Sequence, residues 1–198
     1  MSTDKVYVSA QQLLEDSLEL GRQIIASEFR PNFIVGVWRG GTPVGITVQE
    51  LLDFYGIETD HISIRTSSYA GLDKRREGSV RVHGLGYLEK VMNAEDSLLI
   101  VDDVFDTGLS VKAIIDRLKL RCRRNLPEDV RVATAYYKPE KNRTDFEPDF
   151  HAHATSDWLV FPHEMQGLTA EEIRENKPHL ARVIESLEGV AEPVKLAD

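Results

Sequence analysis

The chain has 198 residues, 41% hydrophobic and 29% charged, with 24 Lys plus Arg against 33 Asp plus Glu for a formal charge of −9. That length and mix fit one ordinary globular domain with a sizeable core and speak against wholesale disorder. An acidic chain lacks the net basic face of a general nucleic-acid backbone binder, so no nucleic-acid partner is expected, and its mean field would repel a small anion. Cys122 is the only cysteine, which excludes an internal disulfide or thiolate zinc cluster and fits a reducing compartment. The segment MSTDKVYVSA has no apolar stretch behind basic residues, and no apolar run nears the ~18 residues of a membrane span. A soluble cytoplasmic domain without a membrane partner is expected.

In chain order, a helix is predicted from about Ser9 to Ser27. Ser9 and Gln12 have capping-box spacing, and Leu13, Leu14, Leu18, Leu20, Ile24 and Ile25 follow a helical period. After Pro31, the run FIVGV (Phe33–Val37) is short, apolar and β-branched, as suits a strand buried on both faces. The loop WRGGTP leads to a second helix with apolar Val44, Val48, Leu51, Leu52 and Tyr55, closed by Gly56. HISIR (His61–Arg65) alternates like a strand. The stretch TSSYAGLDKRREGSVRVHG is polar, basic and glycine-punctuated, a long loop of the kind that is functional or mobile.

SLLIV (Ser97–Val101) is a second buried strand, followed by DDVFDTGLS and a helix from about Leu109 to Arg124 whose end gathers Arg121, Arg123 and Arg124. VRVATAYY (Val130–Tyr137) and WLVFP (Trp158–Pro162) supply further strands. A C-terminal helix is predicted from Thr169, with Glu172 in capping-box position, to about Leu187. Residues 189–198 read as a flexible tail. Strands alternating with helices, the strands nearly all apolar, indicate an α/β fold with a mostly parallel central sheet flanked by helices. Ligands of such folds bind at the carboxyl ends of the strands, where WRGGTP, the long basic loop, DDVFDTGLS and KPEKNR all lie.

DDVFDTGLS (Asp102–Ser110) is the richest of these loops. Its Thr107, Gly108, Leu109 and Ser110 open a helix whose unpaired N–H groups and dipole can cradle a phosphate, and Gly108 permits close approach. The adjacent carboxylates Asp102 and Asp103 suit a vicinal diol. A bare D-T-G at a strand end would be ordinary turn chemistry; the aliphatic strand, the acidic pair, the third Asp and the hydroxyls together point to a ligand.

SLLIVDDVFDTGLS resembles the phosphoribosyl-pyrophosphate (PRPP) motif of type I phosphoribosyltransferases. In matching order, GVWRGGTP resembles their pyrophosphate loop, Ser68-Tyr69 the Ser-Tyr pair of the flexible catalytic loop, YYKP the purine-binding lysine segment, and SDWLVFPHE the segment with a base-stacking aromatic and a metal-associated acid. The likeness runs from about Lys5 to Met165 and is nearest to the xanthine–guanine and hypoxanthine enzymes of the purine group. It implies a single phosphoribosyltransferase domain over residues 1–188, with a small hood from the N-terminal region and residues 138–188.

The resemblance further implies a purine-salvage enzyme that joins PRPP to a 6-oxopurine, releasing pyrophosphate and needing Mg²⁺. It implies PRPP binding by Arg39, Gly40, Gly41, Asp102, Asp103, Val104, Phe105, Asp106, Thr107, Gly108, Leu109 and Ser110. Asp106 would be catalytic, Lys138, Trp158 and Leu159 would hold the purine, and Asp103 and Glu164 would serve the metal. Glu164 stands where the family commonly has Asp. A cis peptide, frequent in the family's pyrophosphate loop, would fall at Arg39–Gly40, and a homo-oligomer (dimer or tetramer) is expected.

The residue chemistry agrees with parts of this. Arg39 beside two glycines offers a forked cation next to a backbone able to close on pyrophosphate. A lysine donor at position 138 favours a 6-oxo over a 6-amino purine. Three other readings are kept: transfer to orotate, uracil or adenine, a PRPP-sensing regulator, and a phosphoacceptor receiver domain, against which the mid-chain position of the acidic pair argues. His151 and His153 alternate in FHAHA without a third ligand nearby in sequence, and Gly84-Leu85-Gly86 lacks the third glycine of a dinucleotide fingerprint.

Overall fold

The structure, a computed structural model, describes residues 5–68, 80–187 and 190. Its first half contains β1 (Lys5–Tyr7), α1 (Ala10–Ala26), β2 (Phe33–Trp38), α2 (Gly41–Phe54), β3 (Asp60–Ser68), β4 (Val80–His83) and α3 (Leu88–Val91). The second half contains β5 (Ser97–Phe105), α4 (Leu109–Cys122), β6 (Asp129–Tyr137), β7 (Phe150–Ala154), β8 (Trp158–Val160), α5 (Ala170–Asn176) and α6 (Pro178–Ser186). These elements fall into two compact units, a larger one over Gln11–Ser156 and a smaller one from the described residues of Met1–Ala10 and Asp157–Asp198.

The larger unit is a six-stranded sheet in the order β4-β3-β2-β5-β6-β7, parallel throughout except for the antiparallel edge strand β4. The apolar runs of β2 and β5 are the reason they lie centrally: both faces of each must be covered. On one face Val35, Val37, Leu98, Ile100 and Val132 pack with Leu88 and Met92 and with Val111, Ile114 and Leu118 of α4. On the other, Ile34, Leu99, Val101 and Ala133 are buried together with Val44, Val48 and Leu52 of α2 and Leu20 and Ile24 of α1. At roughly 1.5–3 kcal/mol for each fully buried Val, Leu or Ile, these two layers supply most of the drive to fold.

The smaller unit pairs β1 with β8 in parallel, extended by a hydrogen bond from Val8 N to Val160 O at 3.0 Å. Its helix α5 opens with the expected capping box of Thr169 and Glu172. Glu172 also takes a 2.6 Å ion pair from Lys5.

Several expectations need correction. β5 does not stop at Val101: the ladder to β6 continues through Asp102↔Thr134, Val104↔Tyr136 and Phe105↔Tyr137. Part of the supposed long loop is strand, because β3 runs to Ser68 and Val80–His83 pairs back on it. The C-terminal helix is two helices. Lys177 has non-helical backbone angles (φ −133, ψ 61) and Pro178 starts α6, as a proline inside a helical pattern should. Residues 138–156, expected with the hood, lie in the larger unit because β7 pairs with β6. Helix α4 ends at Cys122, where Arg123 takes φ 52.

Candidate active site

From β2 the chain passes to β3 on one side, whereas β5, β6 and β7 build outward on the other. The order of the sheet therefore reverses between β2 and β5, the point at which open α/β sheets gather ligands. The turn after β2 is pressed onto the end of β5. A Cβ on Gly40 would fall on the Asp103 carboxylate, and one on Gly41 would collide with the Val101 carbonyl and stand 2.8 Å from Asp102 Cα. At Gly41 the obstacle is backbone and only glycine fits, whereas at Gly40 a side chain would have to displace the Asp103 carboxylate. Helix α2 begins at Gly41 itself, whose N–H donates to the Asp102 carboxyl, so its N-terminus lies with that of α4 at this edge. Thr42, in the first turn of α2, has a buried hydroxyl without a hydrogen-bond partner among the described residues.

Asp103 is buried, and Asp102 accepts its neighbour's N–H at 3.0 Å. Asp103 in turn accepts from Val104 N at 2.9 Å. Burial and then the adjacent Asp103 carboxyl push the Asp102 carboxyl well above the usual carboxylate range. A buried carboxyl beside a second carboxyl is a place where a cation would be welcome. No cluster of three or more His, Cys, Asp or Glu occurs among the described residues. Mg²⁺ fits such a donor set when one or two carboxylates share it with a substrate's oxygens.

The register Phe105↔Tyr137 places the next residues of the two strands, Asp106 and Lys138, side by side. Lys138 N donates to Phe105 O at 2.9 Å, and its buried side chain brings Nζ to 3.9 Å from Asp106 Oδ2. The other carboxylate oxygen of Asp106, Oδ1, is buried with no hydrogen-bond partner among the described residues. Beyond it Gly108 (φ 74) precedes α4 without a side-chain cap, and a Cβ there would stand 2.5 Å from the Phe105 ring and 2.8 Å from Thr144 Cγ2. The loop after Lys138 braces this turn, with Arg143 N donating to Thr107 O at 3.0 Å. Asn142 organises the brace. Its Oδ1 accepts from Thr144 N and Oγ1, both at 2.8 Å, and its Nδ2 donates to Phe146 O at 2.9 Å.

Comparison with known proteins now bears on this geometry. The model of the phosphoribosyl transferase domain matches residues 7–166. The chain belongs to the phosphoribosyl transferase domain family. Among curated relatives, it is 28% identical over 179 residues to a hypoxanthine-guanine phosphoribosyltransferase of Lactococcus lactis, covering 89% of each chain. It is also 28% identical over 168 residues to a xanthine-guanine phosphoribosyltransferase of Idiomarina loihiensis, covering 83% of this chain and 89% of that one. Among solved structures, a purine phosphoribosyltransferase from Pyrococcus horikoshii shares the fold, with TM-score 0.62, 24% identity and coverage of 83% of this chain and 97% of that one.

Within this phosphoribosyl transferase domain, the larger unit brings together Arg39, Gly40, Gly41, Asp102, Asp103, Asp106, Gly108 and Lys138. Arg39 is exposed and has no ion pair among the described residues, whereas the Phe105 side chain is core, edge-on to Tyr137 and Phe146, which leaves only its backbone for a ligand. Trp158, Leu159 and Glu164 belong to the smaller unit; Trp158 is exposed, Leu159 buried, and Glu164 Oε2 accepts from Phe161 N at 3.0 Å. Tyr69 and the side chain of Ser68 lie outside the described residues. The cis peptide is Trp38–Arg39, one bond earlier than expected, at the end of a strand that pairs through Trp38. His153 bonds the buried Asp16 at 2.7 Å and the His151 ring lies edge-on to Tyr137, so both histidines of FHAHA are used in packing.

The residues that sequence reasoning missed are Thr42, whose signal is its place at the start of a helix after two glycines, and Asn142, whose role depends on contacts invisible in one dimension.

Proposed function

We propose that this phosphoribosyl transferase domain is a purine phosphoribosyltransferase, transferring the 5-phosphoribosyl group of PRPP to hypoxanthine, guanine or xanthine. The observation that carries this reading is the Asp106–Lys138 pair at the ends of β5 and β6, beside the glycine turn packed on Asp102 and Asp103. The printed names of the relatives support the base class.

In the proposed reaction a purine ring nitrogen forms a bond to the anomeric carbon as the bond to pyrophosphate breaks, through a transition state with oxocarbenium character. Asp102 and Asp103 accept hydrogen bonds from the ribose hydroxyls. Backbone amides from Asp106 to Ser110, at the uncapped start of α4, hold the 5′-phosphate. Asp106 takes up the ring proton or a hydrogen bond from it, using the oxygen that has no partner, and Lys138 donates to the 6-oxo group. Trp158 and Leu159 are assigned to the purine by resemblance. Mg²⁺ bound with PRPP would supply neutralising charge for the leaving pyrophosphate, with Asp103 proposed to hold it; Glu164 is assigned to the metal by resemblance alone. Arg39, forked and exposed, adds to that neutralisation.

The test is direct. Protein, PRPP and MgCl₂ are incubated with each of the three 6-oxopurines, and nucleoside monophosphate and pyrophosphate are separated chromatographically. One-to-one product formation is expected with at least one base. Product only with adenine, orotate or uracil, or with no base at all, overturns the reading.

A further inference from the structure

Three backbone carbonyls of the turn after β8 converge on one side chain. Lys177 Nζ donates to the carbonyl oxygens of Phe161 and Glu164, each at 2.6 Å, and of Pro162 at 3.3 Å. An ammonium has three donors and no acceptor, so this contact set uses all of them. The turn is also closed from within. Glu164 N donates to Phe161 O at 3.0 Å, Phe161 N donates to Glu164 Oε2 at 3.0 Å, and the Phe161 and His163 rings stack. Lys177 reaches it from the break between α5 and α6, where its own N–H is held by Ile173 O at 2.8 Å and Pro178 forbids a continuous helix.

The arrangement has the chemistry of a cation site rather than of a surface lysine. Three carbonyl oxygens aimed at one point repel each other, and no neutral side chain supplies three donors. The turn starts at the residue that follows β8, the strand formed by Trp158, Leu159 and Val160.

We propose that Lys177 is a positioning residue for the purine, its ammonium serving as a tethered monovalent cation that fixes the Phe161–Glu164 turn and thereby the backbone of Trp158 and Leu159. The inference rests on the assignment of those two residues to the base. It gives the C-terminal helices a task, namely delivery of that charge.

The experiment uses the full chain and Lys177→Met, which keeps side-chain length and removes the donors. The variant's KM for the purine should rise about tenfold while its KM for PRPP stays within about twofold, a split that general loss of structure would not give. Added ammonium chloride, the free form of the missing group, should recover most of the purine KM in the variant and leave the unaltered protein unchanged. Lys177→Gln, which retains two donors, should lie between the two and covers the case in which the Met variant folds poorly. Hydrogen exchange of the Phe161 and Glu164 amides, measured without substrates, should speed up in Lys177→Met and slow again with ammonium. An unchanged purine KM, an equal rise in both KM values, or a defect that ammonium does not touch overturns the proposal. A wild-type protein that makes no nucleotide overturns the function instead, and the exchange measurement still tests the pin.

Discussion

Asp106 and Lys138 are thirty-two positions apart, yet one pair of parallel partners, Phe105 and Tyr137, sets them together. Of the two Asp106 oxygens, one faces the ammonium and the other is buried without a partner among the described residues, as expected of a group whose partner arrives with the substrate. Asp106→Asn keeps the size and removes the basicity. It should bind PRPP as the parent does and lose about 10²–10⁴ in kcat. Calorimetric PRPP binding alongside steady-state rates checks this, and an unchanged kcat would remove Asp106 from the chemistry.

Asp102 makes a different prediction at the same scale. Its carboxyl is held well above the ordinary value of 3.8 by burial and by Asp103. The folded chain therefore keeps a proton that the unfolded chain releases. The group's contribution to stability is full below the unfolded value and is lost as pH rises through the folded one. Asp102→Asn abolishes that loss. The ligand-free variant should melt above the parent at about pH 8, by roughly 2–4 °C for each 1 kcal/mol relieved, with the gain vanishing toward about pH 4. A difference in Tm that does not vary with pH would contradict the assignment. The same variant should bind PRPP poorly, since it loses a ribose acceptor.

Among the elements, legibility in the sequence followed local self-sufficiency. FIVGV, SLLIV and VRVATAYY announce buried strands by composition, and the helices before and after them by period. β4 does not: VRVH is half polar and becomes a strand only by pairing with Arg65–Ser68, a long-range fact. β5 hides its last turn of ladder behind Asp102 and Asp103, because carboxylates look like loop until the β6 partners Thr134 and Tyr136 are known. The break at Lys177 was written in the sequence as Pro178, and helical spacing on either side of it masked the signal. The site divides in the same way. Ordered motifs located the glycine turn, the acidic pair and the α4 N-terminus. They could not show that Gly40 and Gly41 are set by the bulk of the neighbouring strand, or that Arg143 N, in a loop ordered by Asn142, ties that loop onto Thr107 O. Those are properties of packing between segments.

For the whole molecule the question is how a chain of charge −9 serves a substrate that stays anionic even with Mg²⁺. In the proposed reading the carboxylates Asp102, Asp103 and Asp106 belong to the machinery, and their cost is offset by Lys138, Arg39 and two helix N-termini. These positive features act over the last few ångströms of approach, where water is largely displaced and salt screens poorly. The net charge acts farther out, through solvent. Raising the salt from about 0.01 to 0.1 M shortens the screening length from about 30 to 10 Å, which removes the distant repulsion before it weakens the close contacts. At constant free Mg²⁺, kcat/KM for PRPP should therefore rise about two- to threefold over this interval, while kcat stays level. A steady fall with salt would mean that the local cations already govern PRPP capture from a distance, and that the acidic surface is electrostatically silent toward its substrate.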